Sequence, residues 1–357
     1  MFSDNQKISD RQMQRLLLFD ILGISTLVLP GILVRLLGKD GIFALVLGVI
    51  PALLVVRFIE KSRTSLQEMA GQGWLKYPLF FFYALEGILV SGYGTYLLGN
   101  MIGKNLLKDE SFYLVTGLLV LLTGYGIRQG MEGRARIYEI LFWLLLIPLL
   151  VMLVLAARNV DTNRWTPVAT HSLGNLAQGT LLVFLFYMIV SAAFFLKPYL
   201  VHPEHIGICC RRSLLVAALF NAAIFLILLG IFGEGTLAVM EMPVITLMSV
   251  VKLPGGFLER QDVFMVAIWF FALYALINTG MFYASELTGA LWGKGNQTLR
   301  IFVMMALTMI SAVCCYQVKG WKETLLNIQL WIVLPVSAVL LLLALLRSRS
   351  KVTEQEL

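Results

Sequence analysis

From Thr324 to Leu346 the chain carries no Asp, Glu, Lys or Arg. A run of about 20 such residues matches the thickness of a bilayer's hydrocarbon core. No water is available there to satisfy open backbone groups, so the run must be helical. Other apolar blocks repeat the pattern. Of 357 residues, 59% are hydrophobic and 14% charged, where soluble domains run to roughly a quarter charged. The chain therefore reads as an all-α polytopic membrane protein. Ten spans are expected, near 13–36, 41–59, 77–101, 111–127, 137–157, 174–197, 213–233, 263–289, 300–318 and 324–346. The first fifteen residues include Lys7, Asp10, Arg11 and Arg15, and no small-residue cleavage site follows a short apolar core. The first span is thus expected to be permanent rather than a cleaved leader.

Basic residues concentrate in loops on the cytoplasmic side. With the N-terminus inside, the inner loops hold eighteen of the 28 Lys and Arg. These include Arg57 to Lys76, Arg128 to Arg136, and Lys197 to Arg212. Both termini are expected in the cytoplasm. The net charge of +7 then reflects contact with anionic lipid, with no nucleic-acid partner required. The main outer loop, 234–262, contains Val244, Leu247, Met248 and Val251 at helical spacing between Pro243 and Leu253. A short amphipathic helix ending before Pro254-Gly255-Gly256 is expected there.

Acids within spans are costly, so they usually face a bundle interior or a cavity. Asp20 and Glu286 lie toward the cytoplasmic ends of spans one and eight, and Glu86 nearer mid-depth in span three. Glu86 reads equally as a ligand or proton site and as a neutral, hydrogen-bonded structural acid. Gly87, Ser91 and Gly94 form a neighbouring stripe suited to close helix packing. Asn278-Thr279-Gly280 interrupts span eight, and Tyr187 and Ser191-Ala192-Ala193 mark span six. His171, His202 and His205 all fall in loops, and Cys209-Cys210 and Cys314-Cys315 lack metal-ligand spacing. No nucleophile–base set, phosphate loop or cofactor motif stands out. Neither catalysis nor a metal or cofactor is expected.

The first span, "DILGISTLVLPGILV", is poorly built for a helix. Gly23, Ile24, Ser25 and Thr26 sit ahead of Pro30-Gly31, which cannot complete the hydrogen-bond ladder. A discontinuous helix with free N–H groups facing a mid-membrane ligand is one reading. A simple proline kink is the other.

The spacing Gly23-x-Ser25-x-x-x-x-Pro30-Gly31 resembles the span-one signature of the amino acid–polyamine–organocation transporters. A closer likeness runs along almost the whole chain. "KISDRQMQRLLLFDILGISTLVLPGILVRLLGKDG", "RARIYEILFW", "NVDTNRWTPV", "LKPYLVHPEHI" and "MPVITLMSVVKLPGGFLERQDVFMVAIWFF" occur in the order found in the spore germination permease family. These are the B subunits of nutrient germinant receptors. The resemblance implies two inverted five-helix repeats, about 13–157 and 174–346, in a single membrane domain. It also implies a small germinant, typically an amino acid, for which the polar and helix-breaking residues Gly23, Ile24, Ser25, Thr26, Glu86, Tyr187, Ser191 and Asn278 are the candidate contacts. It further implies A-type and lipoprotein C-type partner subunits in the inner spore membrane. Two departures stand out. Ile189-Val190-Ser191 occupies the place of a Gly-containing break in span six, and span five lacks a Lys. Both lean toward a receptor subunit over the alternative, an ion-coupled amino acid transporter in a bacterial plasma membrane.

Overall fold

The computed structural model describes residues 7–61, 73–105, 111–166, 169–250, 261–292, 295–333 and 335–344. Among these the chain is almost entirely helical, and its extended pairing is an isolated parallel bridge between Ile8 and Leu200. The helices are α1 (Asp10–Leu37), α2 (Gly41–Lys61), α3 (Lys76–Asn105), α4 (Phe112–Ile127), α5 (Gly130–Ala157) and α6 (Leu173–Tyr187). They continue as the short α7 (Ala193–Leu196), then α8 (Ile206–Val239), α9 (Pro243–Val250), α10 (Gln261–Trp292), α11 (Gln297–Gln317) and α12 (Trp321–Ile328). Five stretches, Asp10–Lys61, Gly130–Ala157, Leu173–Tyr199, Pro203–Val239 and Gln297–Gln317, are long and apolar enough to cross a membrane.

A capping box starts α1. Ser9 Oγ accepts from the Gln12 amide at 3.3 Å, and Gln12 Oε1 accepts from the Ser9 amide at 3.0 Å. Every residue from Leu16 to Gly31 is buried. A helix apolar all round belongs in a core, and α1 packs against α8, α10, α5 and α6. Outer helices do the reverse. Val46, Ile50 and Leu54 of α2, Leu118 and Leu121 of α4, and Ile140 and Ile147 of α5 are exposed. A continuous apolar exterior on this scale is what lipid contact requires.

The expected unwinding at Gly23–Thr26 does not occur, because α1 is continuous through it and through Pro30. Ser25 Oγ donates to Ile21 O and Thr26 Oγ1 to Leu22 O, each at 2.6 Å. The hydroxyls thus close on their own helix. Gly23 serves close packing instead: a Cβ there would lie 3.1 Å from Ala272 O of α10. The irregular backbone lies elsewhere. Between α6 and α7 the chain tightens into a 3₁₀ turn, Met188–Ala192. After α12 it widens into a π turn, Gln329–Val333, before helix resumes over 335–344. The charge-free segment that begins at Thr324 is therefore not one regular helix.

The most extensive helix contact joins α3 to α10. The small stripe makes it possible. A Cβ on Gly87 would fall 2.5 Å from Gly280 O, and Ser91 Oγ donates to Ile277 O at 3.0 Å. Between α8 and α10, in the loop expected outside, α9 turns Val244, Leu247 and Met248 inward against α1, α8 and α10. Val251 and Pro254-Gly255-Gly256 lie outside the described residues. Upstream, Gly233 takes φ +72° and bends the end of α8, a left-handed conformation that suits glycine.

Helix ends gather into two sets. At one end Glu139 binds Arg11 and Arg15, both at 2.8 Å, Asp10 meets His205 Nδ1 at 2.6 Å, and Tyr199 reaches Glu286. At the other, Glu241 pairs with Lys104 at 2.8 Å and Lys322 at 3.7 Å. These cations hold its carboxyl below the usual range. There too, in the turn between the first two spans, Asp40 accepts amide hydrogens from Ala169, Thr170 and His171. Those bonds fix Ala169 at φ 61°, an uncommon conformation for a residue with a side chain.

Candidate functional site

Two internal cavities meet at Glu86. The larger, about 50 Å³, lies among α3, α10 and the 3₁₀ turn, with Tyr83, Glu86, Ser191, Thr279 and Tyr283 on its wall. The smaller, about 30 Å³, is bounded by Ile24, Glu86, Tyr93, Phe186 and Gln329 among others. Each could hold one or a few water-sized groups. Val90, Ile189 and Glu86 border both, so these three side chains form the partition. The 3₁₀ turn supplies part of both walls through Ile189, and the π turn part of the smaller cavity's wall through Gln329. The Tyr83 and Tyr283 hydroxyls are buried without a hydrogen-bond partner, an arrangement rare enough to need a reason. The Tyr83 ring is held edge-on by Phe195 at 4.8 Å.

Behind Thr279 lies a second polar group that joins three helices. Arg134 Nη2 of α5 donates to Thr279 Oγ1 at 2.6 Å, and Thr279 donates to Asp20 Oδ1 of α1 at 2.8 Å. Tyr138 donates to Ala275 O at 2.7 Å, and its ring stacks on Phe19 at 5.7 Å. The Arg134 guanidinium rests on the Phe282 ring, 4.5 Å from its centre. A loop position for Arg134 is thereby corrected. Helix α5 begins at Gly130, and Arg134 is 2% exposed. A buried cation on this scale is tolerated only with a counter-charge and hydrogen bonds, and Asp20 and Thr279 supply them.

A third group ties α1, α6 and α8. Asn221 Nδ2 donates to Ser25 Oγ at 2.9 Å and to Tyr187 Oη at 3.3 Å. Of the residues singled out in the sequence, Glu86 and Ser191 line the larger cavity, and Glu86 and Ile24 the smaller. Gly23, Ser25, Thr26, Tyr187 and Asn278 line neither. Asn278 donates to Thr123 O at 3.3 Å. Pro30 lies within α1, and a Cβ on Gly31 would meet Met240 O at 3.0 Å near the end where Asp40 sits. Sequence reasoning passed over Tyr283, Arg134, Asn221 and Gln329. Tyr283 is one helical turn beyond Thr279, and that spacing is the signal that would have found it. Among the described residues no group of His, Cys, Asp and Glu could hold a metal ion.

Comparison with solved structures shows the fold. A nucleobase-cation-symport-1 family transporter, closed with bromovinylhydantoin bound, superposes with a TM-score of 0.69. The match covers 94% of this chain and 77% of that one, at 14% identity. A Na+-coupled sialic acid symporter in a substrate-bound outward-open state gives 0.62, over 89% and 79% at 12% identity. The architecture is that of the inverted-repeat transporters. In sequence, spore germination protein B2 of Bacillus subtilis (strain 168) is 24% identical over 70% of each chain. Spore germination protein YndE of the same organism is 20% identical over 80% of this chain and 81% of its own. Spore germination protein KB is 22% identical over 79% and 76%. The profile described as "Spore germination protein" matches residues 7–319, and the chain belongs to the spore germination protein family.

Proposed function

We propose that this chain is the permease-like B subunit of a nutrient germinant receptor in the inner spore membrane. It holds a small germinant in the cavities around Glu86 and passes the bound state to A-type and lipoprotein C-type subunits. One observation carries the reading: Glu86, an acid near mid-span, borders two cavities that meet at its side chain. An acid inside a membrane span marks a ligand or ion pathway by default, so an acid shared by two cavity walls points to a ligand. The 3₁₀ turn supports it, since mid-helix 3₁₀ backbone often marks a hinge. A receptor needs only to bind its ligand better in one state and transmit that bias. The basic-residue asymmetry supports cytoplasmic termini.

The test is germination of spores carrying Glu86→Gln, with abundance of the chain measured in parallel. The dose–response curve should move to higher germinant at normal abundance. An unmoved curve would make Glu86 a structural acid. Ion-coupled amino acid transport is the second reading, favoured by the fold shared with the two symporters. Uptake of labelled amino acid by proteoliposomes under an imposed ion gradient separates the two.

A further inference from the structure

We infer that the cavities around Glu86 select their ligand by a protonated amino group on a small aliphatic body, with no cation to pair with a ligand carboxylate. The inference rests on the reading of these cavities as the germinant site and specifies what they accept. Among the described residues no Lys, Arg or His lines either cavity, and Glu86 is the one formally charged group in both walls. Arg134 touches Thr279, but the same hydroxyl donates to Asp20, so that cation already faces an anion. Helix α1 is unbroken beside the smaller cavity, and Ser25 and Thr26 are bonded to their own helix. No free helix N-terminus there offers N–H groups to an anion. The walls therefore offer a carboxylate neutral donors, such as the Tyr283 hydroxyl and the Gln329 amide, but no cation.

A cation is served well. An ammonium entering at the partition gains a charge-assisted hydrogen bond to Glu86 in a medium of low dielectric. The buried, unpartnered hydroxyls of Tyr83 and Tyr283 can accept its remaining hydrogens. Val90, Ile189, Leu276 and Phe195 surround the rest of the molecule with apolar surface. A bare carboxylate would meet Glu86 as a like charge with no counter-charge to offset its desolvation. The cavity volumes of about 50 and 30 Å³ admit only a few heavy atoms on each side of Val90 and Ile189.

The experiment uses the purified full-length chain in lipid nanodiscs, with binding read by calorimetry and thermal shift. The probes are ethylammonium, alanine and propionate at matched ionic strength. Ethylammonium should bind, alanine more weakly than ethylammonium because its carboxylate finds no counter-charge, and propionate should not bind. Glu86→Gln should weaken ethylammonium at least about tenfold, the scale of losing a hydrogen bond to a charged group. Propionate binding as tightly as ethylammonium, no binding of ethylammonium, or wild-type affinity in Glu86→Gln would each overturn the inference. The charge preference is measured on the wild-type chain, so the result stands even if the variant does not fold. The two readings fail separately. Amine selectivity in nanodiscs with normal germination of Glu86→Gln spores refutes the receptor role alone. Shifted germination with no charge preference in nanodiscs refutes this inference alone.

Discussion

Replacing Arg134 by Met tests the buried Asp20–Thr279–Arg134 bridge. The substitution keeps a long, flexible side chain and removes the charge and the 2.6 Å bond to Thr279. Asp20, 1% exposed, then keeps one hydrogen bond and loses its counter-charge. Removing one member of a buried pair costs about 3–5 kcal/mol. The contact with the Phe282 ring, at 4.5 Å, adds about 1–2 kcal/mol. Arg134→Met should therefore destabilise by about 4–7 kcal/mol. The double variant Asp20→Leu, Arg134→Met leaves no orphaned charge, and only the aromatic contact and local packing are lost. It should cost about 1–3 kcal/mol, giving a coupling of at least about 2 kcal/mol in a double-mutant cycle. Denaturant unfolding in mixed micelles, followed by tryptophan fluorescence, measures all four chains. If Arg134→Met unfolds at the wild-type midpoint, or the double variant costs the sum of the singles, the bridge is not what holds these helices together.

Asp40 should give an acid-dependent stability. Burial pushes its carboxyl up, but hydrogen bonds from His171, Ala169 and Thr170 outweigh this and hold it at about 2, against 3.8 ordinarily. Its stabilising effect is thus present above the ordinary value and is lost as pH falls through about 2. Asp40→Asn should cost about 1–3 kcal/mol at neutral pH, and its unfolding midpoint should converge with the wild type's as pH approaches 2; a constant gap would refute this. Gly280→Ala should separate α3 from α10, because its Cβ would meet Gly87 O at 2.5 Å and Ser91 Oγ at 2.3 Å. A cost of about 1–3 kcal/mol is expected, with weakened germinant response; a fully stable, fully responsive variant would mean this contact yields easily. For sidedness, Asn159→Cys should react with an impermeant maleimide on intact cells and Glu204→Cys only after permeabilisation, and the opposite result would invert the assigned orientation.

Where the sequence was informative, the reason was local chemistry. An acid inside an apolar run is conspicuous, and Glu86 borders both cavities. A stripe of Gly87, Ser91 and Gly94 announces close approach, and all three face α10. The failures have the opposite cause. Gly, Ser, Thr and Pro in α1 report intrinsic reluctance to form helix, but burial on every side overrides propensity, and the hydroxyls are consumed by Ile21 O and Leu22 O. Nothing in one dimension distinguishes Arg134 from Arg128 or Arg136. Its burial follows from which face of α5 turns toward α1 and α10. Asn221 is equally silent, since only packing brings it to Ser25 and Tyr187. The irregular turn Gln329–Val333 carries neither Gly nor Pro itself, and its warning was Pro335 two residues on, which cannot donate to the ladder.

The turn Met188–Ala192 also works as a length of screw thread cut at a different pitch. A 3₁₀ helix rises about 2.0 Å and turns about 120° per residue, and an α-helix about 1.5 Å and 100°. Five residues passing from one form to the other would shorten the rod by about 2.5 Å and rotate everything beyond it by about 100°. Ile189 is inside that thread, at the partition between the cavities. Phe195 and then Tyr199, whose carbonyl holds the Ile8 amide at 2.8 Å, lie just beyond it. Any ligand that favours one pitch over the other would have its binding energy converted here into axial travel. That travel would be delivered to the segment bound to the N-terminus, where a pair of distance labels on either side of the turn would record it.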